Sequence, residues 1–483
     1  MKHNYDVIVI GAGNAGLMAA LSIAEKGKKV LVLEKNNGPG GLATSFIKGR
    51  FEFETSLRAL KGVGNKTNKN DLRKIFDEYD LNEKLEWTEL KDAYKIIKTS
   101  SLKEIYTIPY GVDEFIKKME EYVPESKEKL TSFFELSKEV YNAVKYIQSE
   151  DKVNLDYLKE NFPNFAIVST YSLQTVLDKL KFSQKLQELL SSYWINFASS
   201  TININFVDYV FSFYELLVNK AYIPQNRSLE LSYVIERKIR NYGGNVWYNE
   251  EVDKIIVKHN KVEGVITKKG NMYTTNHVIC NSSPINVYSK LIDQENVSQY
   301  SLKLVNSRKL GNRAMTIHLG LNKSSEKLGI TNYMYYLYNN LDSNVEIESM
   351  KLITSNTMIV TCLNNAIKDC SPTDTTILNI TVIYLGGSWD KIVNEENYYK
   401  IKEKLASKTI EEVEKALDIN IKDYIEEIEI TTPITYSDYY SFPDGCISGY
   451  RTNNIDSFLA RSLNKDEECL IEGLRICGSY SYY

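Results

Sequence analysis

The 483-residue sequence is short of the side chains that build disulfide frameworks and metal centres. Its six cysteines include no C-x-x-C pair, and its four histidines lie far apart along the chain. Scattered cysteines are typical of a reducing compartment, so we expect a cytoplasmic protein without a metal site. The residues concerned are Cys280, Cys362, Cys370, Cys446, Cys469, Cys477, His3, His259, His277 and His318.

An excess of positive charge is also missing. The chain has 59 lysines and arginines against 63 aspartates and glutamates, a net charge of −4 at pH 7. Nucleic-acid-binding proteins need a basic field, so we expect no nucleic-acid partner. The sequence shows no Ser/His/Asp or Cys/His arrangement, no paired catalytic carboxylates and no phosphate-loop lysine. This pattern favours chemistry carried by a bound cofactor.

One uncharged run stands out, from Val7 to Ala24, and its length is that of a signal or membrane segment. Asp6 precedes the run, glycines and Asn14 interrupt it, and charged residues follow it at once. We therefore interpret it as part of a strand–turn–helix–strand unit. The predicted elements are a strand at 5–10, a turn at 11–16, a helix at 17–26 and a strand at 30–33.

The turn Gly11-Ala12-Gly13-Asn14-Ala15-Gly16 has the spacing of a dinucleotide-binding loop. Gly11 permits the tight turn, Gly13 lets the backbone approach a pyrophosphate, and Gly16 lets helix and strand pack closely. The helix N-terminus presents free N–H groups to the anion. Glu34, at the end of the second strand, is placed to bind the ribose hydroxyls of the adenosine.

A second glycine pair indicates which dinucleotide binds. Gly40-Gly41-Leu42-Ala43 follows the second strand, where a plain nicotinamide fold would begin its next helix. Together with Glu34-Lys35 and the segment 49–54, it resembles the flavin amine oxidase and phytoene desaturase superfamily, on its phytoene desaturase-like branch. Later segments resembling the family arrive in its order, at 106–115, 228–280 and 473–479. The chain is expected to return to the cofactor-binding strands near 222–224. A helix at 228–242 and short strands at 246–248, 252–257, 261–267 and 272–280 are predicted to follow.

The resemblance implies FAD as the cofactor, and an α/β fold with a Rossmann-like domain of the glutathione-reductase type. A mixed-sheet and helical substrate domain is inserted into it. The implied FAD-binding domain comprises 1–75, 222–290 and 441–483, and the substrate domain 76–221 and 291–440. The residues that match the family's cofactor contacts are Gly11, Gly13, Asn14, Ala15, Gly16, Glu34, Lys35, Gly40, Gly41, Leu42, Ala43, Val252 and Gly478.

Two features depart from the family pattern. Ser56 stands where the family commonly has a glycine near the flavin, between Glu54 and Arg58. We take Glu54 and Arg58 as candidate catalytic residues, with an ion pair that holds the loop as the alternative. The family usually continues past the final turn with another glycine-rich stretch and a helix, so we expect the native product to extend beyond Tyr483.

Between the cofactor segments, apolar residues recur at helical spacing over 130–147, 173–180 and 206–217. Later runs at 314–321, 358–363 and 377–385 predict strands. The 35 tyrosines and 16 phenylalanines suggest an aromatic tunnel for an apolar substrate, although a bias from AT-rich coding DNA explains the composition as well. The segment 433–450 is the predicted cavity wall.

We expect an FAD-dependent oxidoreductase that desaturates, saturates or isomerises carbon–carbon bonds of an apolar, isoprenoid-type small molecule. Hydride transfer at the flavin N5 is the implied chemistry. Two alternatives stay open: a flavin amine oxidase, and a non-catalytic carrier of lipid anchors with the same fold. Peripheral membrane contact is also open, and the sequence does not fix the oligomeric state.

Overall fold

The computed structural model describes residues 3–100, 102–150, 152–390, 392–452, 461–462 and 470–481. Its strands are β1 (His3–Asn4), β2 (Val7–Ile10), β3 (Val30–Leu33), β4 (Ser45–Lys48), β5 (Phe51–Glu54), β6 (Trp87–Glu89), β7 (Tyr94–Lys98), β8 (Glu104–Ile108), β9 (Tyr222–Pro224), β10 (Asn245–Trp247), β11 (Val252–Lys258), β12 (Lys261–Thr267), β13 (Met272–Thr274), β14 (Val278–Cys280), β15 (Arg313–Leu321), β16 (Met334–Tyr338), β17 (Met358–Cys362), β18 (Thr376–Tyr384), β19 (Ile425–Thr431) and β20 (Leu474–Ile476).

The α-helices are α1 (Asn14–Glu25), α2 (Asp71–Glu78), α3 (Val112–Tyr122), α4 (Lys127–Ser149), α5 (Leu155–Asn161), α6 (Pro163–Val168), α7 (Leu173–Lys179), α8 (Gln184–Leu190), α9 (Phe206–Asn219), α10 (Arg227–Asn241), α11 (Pro284–Asn286), α12 (Gln299–Asn306), α13 (Ser325–Leu328), α14 (Ser343–Ser349), α15 (Tyr398–Leu417) and α16 (Pro433–Tyr440). Short 3-10 turns and a π turn at Val287–Leu291 connect some of them.

A parallel sheet of five strands carries the amino-terminal motif. Its order is β10-β3-β2-β14-β20, so three distant parts of the chain contribute to it. The central strands are apolar throughout, as expected of parallel strands covered on both faces. Helices α1 and α10 pack together over one face, with Leu17 and Leu21 meeting Leu231 and Ile235 in the same core.

The apolar run at 7–24 forms strand β2 and helix α1, so its interpretation as a signal or membrane segment is wrong. Strand β2 lies inside the parallel sheet between β3 and β14, which a membrane helix would not explain. Among the helices within the described residues, none combines the length and apolar character needed to cross a bilayer.

Two predicted strands change place in the structure. The single strand expected at 272–280 is two, because β13 pairs antiparallel with β12 whereas β14 pairs parallel with β2. The chain changes sheets at Thr275, whose hydroxyl donates to the backbone oxygen of Asp6 at 3.0 Å. Strand β9 was expected to return to the cofactor-binding strands, but it forms a two-stranded ribbon with β6.

A seven-stranded mixed sheet forms the second layer, in the order β19-β15-β18-β17-β16-β7-β8. The long strands β15 and β18 are buried at every residue, because helix α15 covers one face and the helical layer α3–α9 lies towards the other. The predicted strands at 314–321, 358–363 and 377–385 lie in this sheet, within a residue of their expected ends.

This mixed architecture confirms the predicted fold class, with a Rossmann-like unit beside a mixed sheet and helices. The strands of the parallel sheet come from the predicted cofactor ranges 1–75, 222–290 and 441–483. The strands of the seven-stranded sheet and the helices α3–α9 come from 76–221 and 291–440. The domain boundaries themselves stay a prediction.

Candidate functional site

A cavity of about 1000 Å³ opens at the carboxyl edge of the parallel sheet. Four of the residues that line the cavity come immediately after strands of this sheet. They are Gly11 after β2, Glu34 after β3, Asn281 after β14 and Cys477 after β20. In open α/β sheets, ligands bind outside the carboxyl ends of the strands. The opposite wall comes from the helical layer and the seven-stranded sheet, through Tyr193 and Tyr336 among others.

The structure brings most of the predicted site residues to this cavity. Two predicted residues, Gly16 and Glu54, do not line it. Those that do are Gly11, Gly13, Asn14, Ala15, Glu34, Lys35, Gly40, Gly41, Leu42, Ala43, Arg58, Val252 and Gly478.

The first glycine turn leaves the amino end of helix α1 open towards the cavity. Gly11 has φ +95°, a conformation that side chains disfavour, and no side chain caps α1 at Gly13. A Cβ on Gly13 would lie 2.5 Å from the amide nitrogen of Asn281, and one on Gly16 would overlap the backbone oxygen of Gly11. The turn therefore excludes side chains where a ligand phosphate needs backbone N–H groups.

The second glycine pair packs against the first. Gly40 donates its backbone N–H to the oxygen of Ala12 at 2.8 Å, and a Cβ on Gly41 would lie 3.4 Å from the Cα of Gly13. Both Gly40 and Gly41 have positive φ, +108° and +60°. Two backbone segments free of side chains thus line the same part of the cavity, an arrangement that fits an extended pyrophosphate.

Asn281 is a site residue that the sequence analysis missed. Its side chain lies within 4 Å of the points that a Cβ would occupy on Gly11, Gly13, Gly16 and Gly478. Its backbone N–H donates to the oxygen of Ile10 at 2.8 Å, which fixes it beside the first strand. The sequence offered one signal, which is that Asn281 comes directly after an apolar run. That run was interpreted as one strand at 272–280, so the pairing of its second half, β14, with β2 was not predicted. Other missed lining residues are Ser282, Ser283, Asn286, Lys290, Tyr193, Asn196, Met334 and Tyr336.

Glu34 is buried and held in place by two backbone groups. One carboxylate oxygen accepts the N–H of Ala12 at 2.7 Å, and the other accepts the N–H of Asn36 at 2.8 Å. A carboxylate oxygen has a second lone pair, so Glu34 keeps capacity for ribose hydroxyls. Val252 lines the cavity at the start of β11, which fits the predicted adenosine end.

Lys35 joins the two sides of the cavity. Its Nζ donates to the hydroxyl of Ser441 at 2.7 Å, and the backbone oxygen of Ser441 accepts a hydrogen bond from the side-chain amide of Asn286. Burial lowers the pKa of Lys35, and the negative charges of Glu251 and Glu34 oppose that shift. The segment after α16 is thereby fixed against the Rossmann-like unit.

Gly478 and Cys477 form the turn after β20. Gly478 has φ +97°, and a Cβ there would lie 2.5 Å from the amide oxygen of Asn281. Cys477 lines the cavity, and burial raises the pKa of its thiol to about 12, so the thiol stays protonated at neutral pH. In the part of the chain that the structure describes, no group of three His, Cys, Asp or Glu side chains is arranged to hold a metal ion.

Glu54 lies outside the lining of the cavity, and its catalytic role stays a prediction. Its carboxylate accepts the backbone N–H of Ser228 at 3.0 Å and also the hydroxyl of Ser228, in the first turn of α10. Burial raises the pKa of Glu54 to about 7, and the hydrogen bonds from Ser228 oppose this shift. Among the described residues, Glu54 and Arg58 form no ion pair with each other, so the alternative role of holding the loop through such a pair is not seen. Glu54 instead anchors strand β5 to helix α10.

Arg58 lines the cavity on the side of the substrate layers. Its backbone oxygen accepts the hydroxyl of Tyr333 at 2.5 Å, just before strand β16. Burial lowers the pKa of its guanidinium, while the tyrosines around it, Tyr336 first, favour the charged form. Arginine stays protonated in proteins, so a full positive charge faces the cavity.

Aromatic side chains form much of the remaining wall. Tyr336 stacks on Tyr94 with ring centroids 4.3 Å apart, and Tyr94 stacks on Tyr193 at 6.0 Å. Of the predicted wall at 433–450, Tyr440 and Phe442 line the cavity and stack at 5.5 Å. Tyr436 is buried behind them with its hydroxyl near Thr316 and Thr431, Tyr439 is half exposed, and Tyr450 lies elsewhere. The wall can exclude water from an apolar ligand.

Known proteins are similar to this chain in sequence. Residues 9–79 match the family described as NAD(P)-binding Rossmann-like domain. The all-trans-retinol 13,14-reductase of Danio rerio is 26% identical over 93% of this chain and 78% of that protein. The prolycopene isomerase of Daucus carota is 26% identical over 92% of the chain and 72% of that protein. The 1-hydroxycarotenoid 3,4-desaturase of a Flavobacterium species is 24% identical over 92% and 89%.

Solved structures share the fold over nearly the whole chain. An oxidoreductase from Methanosarcina mazei aligns with a TM-score of 0.62 at 14% identity, over 99% of this chain and 95% of that one. Cyclohexylamine oxidase from Brevibacterium oxydans aligns with a TM-score of 0.59 at 14% identity, over 99% and 94%. These similarities confirm the predicted resemblance to the flavin amine oxidase and phytoene desaturase superfamily, on its phytoene desaturase-like branch, and the chain is an FAD-dependent oxidoreductase.

Proposed function

We propose that the protein acts on carbon–carbon bonds of an apolar, isoprenoid-type substrate, in a desaturation, a saturation or an isomerisation. The observation that carries this proposal is one continuous cavity that extends from the paired glycine turns to an aromatic wall. FAD, when bound, supplies the hydride acceptor or donor. The reductase, isomerase and desaturase relatives support a carbon–carbon reaction on such a substrate.

The chain's own residues divide the binding work along the cavity. Glu34 and Val252 would hold the adenosine, the turns at 11–16 and 40–43 with Asn281 would hold the pyrophosphate, and Gly478 would lie near the flavin. Their close backbone approach positions the cofactor before the substrate arrives, which lowers the entropic part of the barrier.

The substrate end of the cavity would orient the substrate and exclude water. Met334 and Tyr336 of strand β16 are almost fully buried, although both line the cavity. Tyr440 and Phe442 close another part of the wall. These side chains would orient an apolar chain and keep water from the reacting carbon.

The cysteines within the described residues are unpaired, which supports a cytoplasmic location. The apolar substrate favours peripheral contact with a membrane surface.

Anaerobic spectroscopy of the FAD-loaded protein tests the proposal. The oxidised form is mixed with polyenes, retinoids and amines, and the reduced form is mixed with the same polyenes and retinoids. We expect a polyene or retinoid either to bleach the visible flavin band or to restore it, because the direction of transfer differs between desaturation and saturation.

The same experiment separates the alternatives. Bleaching by an amine, with no response to any polyene or retinoid, would identify an amine oxidase. A purified protein that neither contains nor takes up FAD would point to a carrier, and either result would overturn the proposed function.

A further inference from the structure

Arg58 brings a positive charge to the cavity without a partner in the protein. In the described part of the chain, its guanidinium forms no ion pair and no hydrogen bond, and its strongest electrostatic neighbours are tyrosines. Two other arginines, which are buried, have partners in the protein. Arg313 pairs with Asp390 at 3.0 Å and Asp444 at 2.8 Å, and Arg227 donates to two backbone oxygens.

An arginine that loses much of its surrounding water and has no counter-charge is costly, because the lost hydration of the guanidinium is not compensated. A ligand that brings an anion removes this cost. The planar guanidinium can form two parallel hydrogen bonds with a carboxylate.

The position of Arg58 indicates that the anion belongs to the substrate. Two cavity-lining tyrosines interact electrostatically with it, and both come from the substrate layers: Tyr193 from the helical layer and Tyr336 from strand β16. The side-chain amide of Asn196 donates to the hydroxyl of Tyr336 at 3.1 Å, which leaves the hydroxyl proton of Tyr336 free to be donated to a ligand.

A second cation strengthens the positive field behind this wall. The Nζ of Lys61 lies 5.8 Å from the centre of the Tyr193 ring and donates to the backbone oxygen and the hydroxyl of Ser212. Burial lowers the pKa of Lys61 to about 8, and the negative charge of Glu215 opposes that shift.

We propose that the substrate carries a carboxylate, bound by the guanidinium of Arg58 and the hydroxyl of Tyr336, so that the enzyme acts on an apolar acid. This inference rests on the proposed function, because it specifies the substrate at the same site. It makes Arg58 the residue that selects an acid over the alcohol or hydrocarbon with the same chain.

Ligand pairs that differ only in the end group test this inference. The FAD-loaded protein is titrated anaerobically with all-trans-retinoic acid and all-trans-retinol, and with palmitic acid and hexadecanol. Perturbation of the flavin spectrum reports binding without turnover. We expect each acid to bind about 10- to 100-fold more tightly than its alcohol, the range for hydrogen bonds to a charged group.

Variants assign the preference to Arg58. We expect Arg58→Met to weaken acid binding about 10- to 100-fold and to leave alcohol binding within about threefold. Arg58→Lys keeps the positive charge but cannot form two parallel hydrogen bonds. Its affinity for the acids should therefore lie between those of the wild type and Arg58→Met. Arg50→Met is the matched control, because Arg50 is exposed and pairs with Glu426. FAD content and flavin reduction potential are measured for every variant.

Equal binding of acids and alcohols, or an equal loss of both in Arg58→Met, would overturn the inference. So would an Arg58→Met protein that loses FAD or shifts its reduction potential yet still prefers acids, because Arg58 would then serve the cofactor. Flavin turnover with neutral polyenes alone would leave the proposed function standing and refute only the carboxylate. Turnover with amines alone would refute both.

Discussion

Gly13 meets two requirements that a larger residue cannot meet together. Its backbone faces the cavity at the start of helix α1, and its missing side chain leaves room for the amide of Asn281. Its φ of −68° is ordinary, so the constraint on this residue is space rather than backbone strain.

We predict that Gly13→Val lowers FAD retention at least about tenfold and leaves the fold intact, because the branched side chain occupies the phosphate approach. Flavin absorbance per mole of protein and far-ultraviolet circular dichroism measure the two properties. Gly38→Ala is the control, since a Cβ there meets only the hydroxyl of Tyr233, at 3.8 Å. Unchanged flavin content in Gly13→Val would contradict the placement of the pyrophosphate.

Glu54 makes stability depend on pH. Its folded pKa of about 7 lies above the ordinary value of 4.5, so its contribution is fully present below pH 4.5 and is lost as the pH rises through 7. Between pH 5 and pH 8 the free energy of unfolding should fall by up to about 3 kcal/mol through this group alone.

We predict that Glu54→Gln removes this slope, because glutamine does not titrate. Denaturant unfolding of both proteins at pH 5 and pH 8 measures the difference. Ser228→Ala should enlarge the slope, since the hydroxyl of Ser228 favours the charged carboxylate. An identical slope in Glu54→Gln would show that other groups cause it.

Sequence reasoning identified residues whose role follows from local spacing and missed those whose role follows from the tertiary fold. Gly11, Gly13 and Glu34 form a motif within one strand–helix–strand unit. Asn281 joins them only because β14 pairs with β2, a contact between distant parts of the chain. The hydrogen bonds of Glu54 were missed for the same reason, because its partner Ser228 is far away in sequence.

At the scale of elements, the hairpin of β4 and β5 packs on the seven-stranded sheet at one glycine. A Cβ on Gly320 of β15 would lie 2.5 Å from the ring of Phe51, which is fully buried. The ring therefore occupies the space of the missing side chain, and it brings the segment that carries Arg58 against the sheet.

We predict that Gly320→Ala destabilises the protein by about 1–3 kcal/mol through this overlap. Thermal unfolding of the single variants and of the double variant with Phe51→Leu measures the coupling. The smaller leucine should make the alanine at 320 less costly than it is beside phenylalanine. Additive effects would show that the two residues do not share the space.

Element boundaries were predicted well where one periodicity persisted and poorly where the chain changed sheets. Helix α10 and strand β12 lie within one residue of their expected ranges, because each keeps one environment along its length. The run at 272–280 is apolar in both halves, so the pattern alone did not reveal that β13 and β14 belong to different sheets.

For the whole molecule, FAD binding should couple to stability, because the cavity joins three parts of the chain with the substrate layers. We predict that saturating apoprotein with FAD at about 100 times its dissociation constant adds about 2.7 kcal/mol to the free energy of unfolding. Thermal unfolding with and without FAD measures this gain. Gly13→Val should show little of it, and an equal gain in that variant would place FAD elsewhere.

The parallel sheet has a consequence for biosynthesis. Strands β2 and β3 leave the ribosome early, β14 emerges near the middle of synthesis, and β20 emerges long afterwards. Until β20 docks beside β14, the turn at Gly478 is missing from the pocket, and pairings across such separations form slowly. A nascent chain therefore exposes its glycine loops and apolar sheet edge before it can retain the coenzyme, so its yield in cells should depend on chaperones and on riboflavin supply.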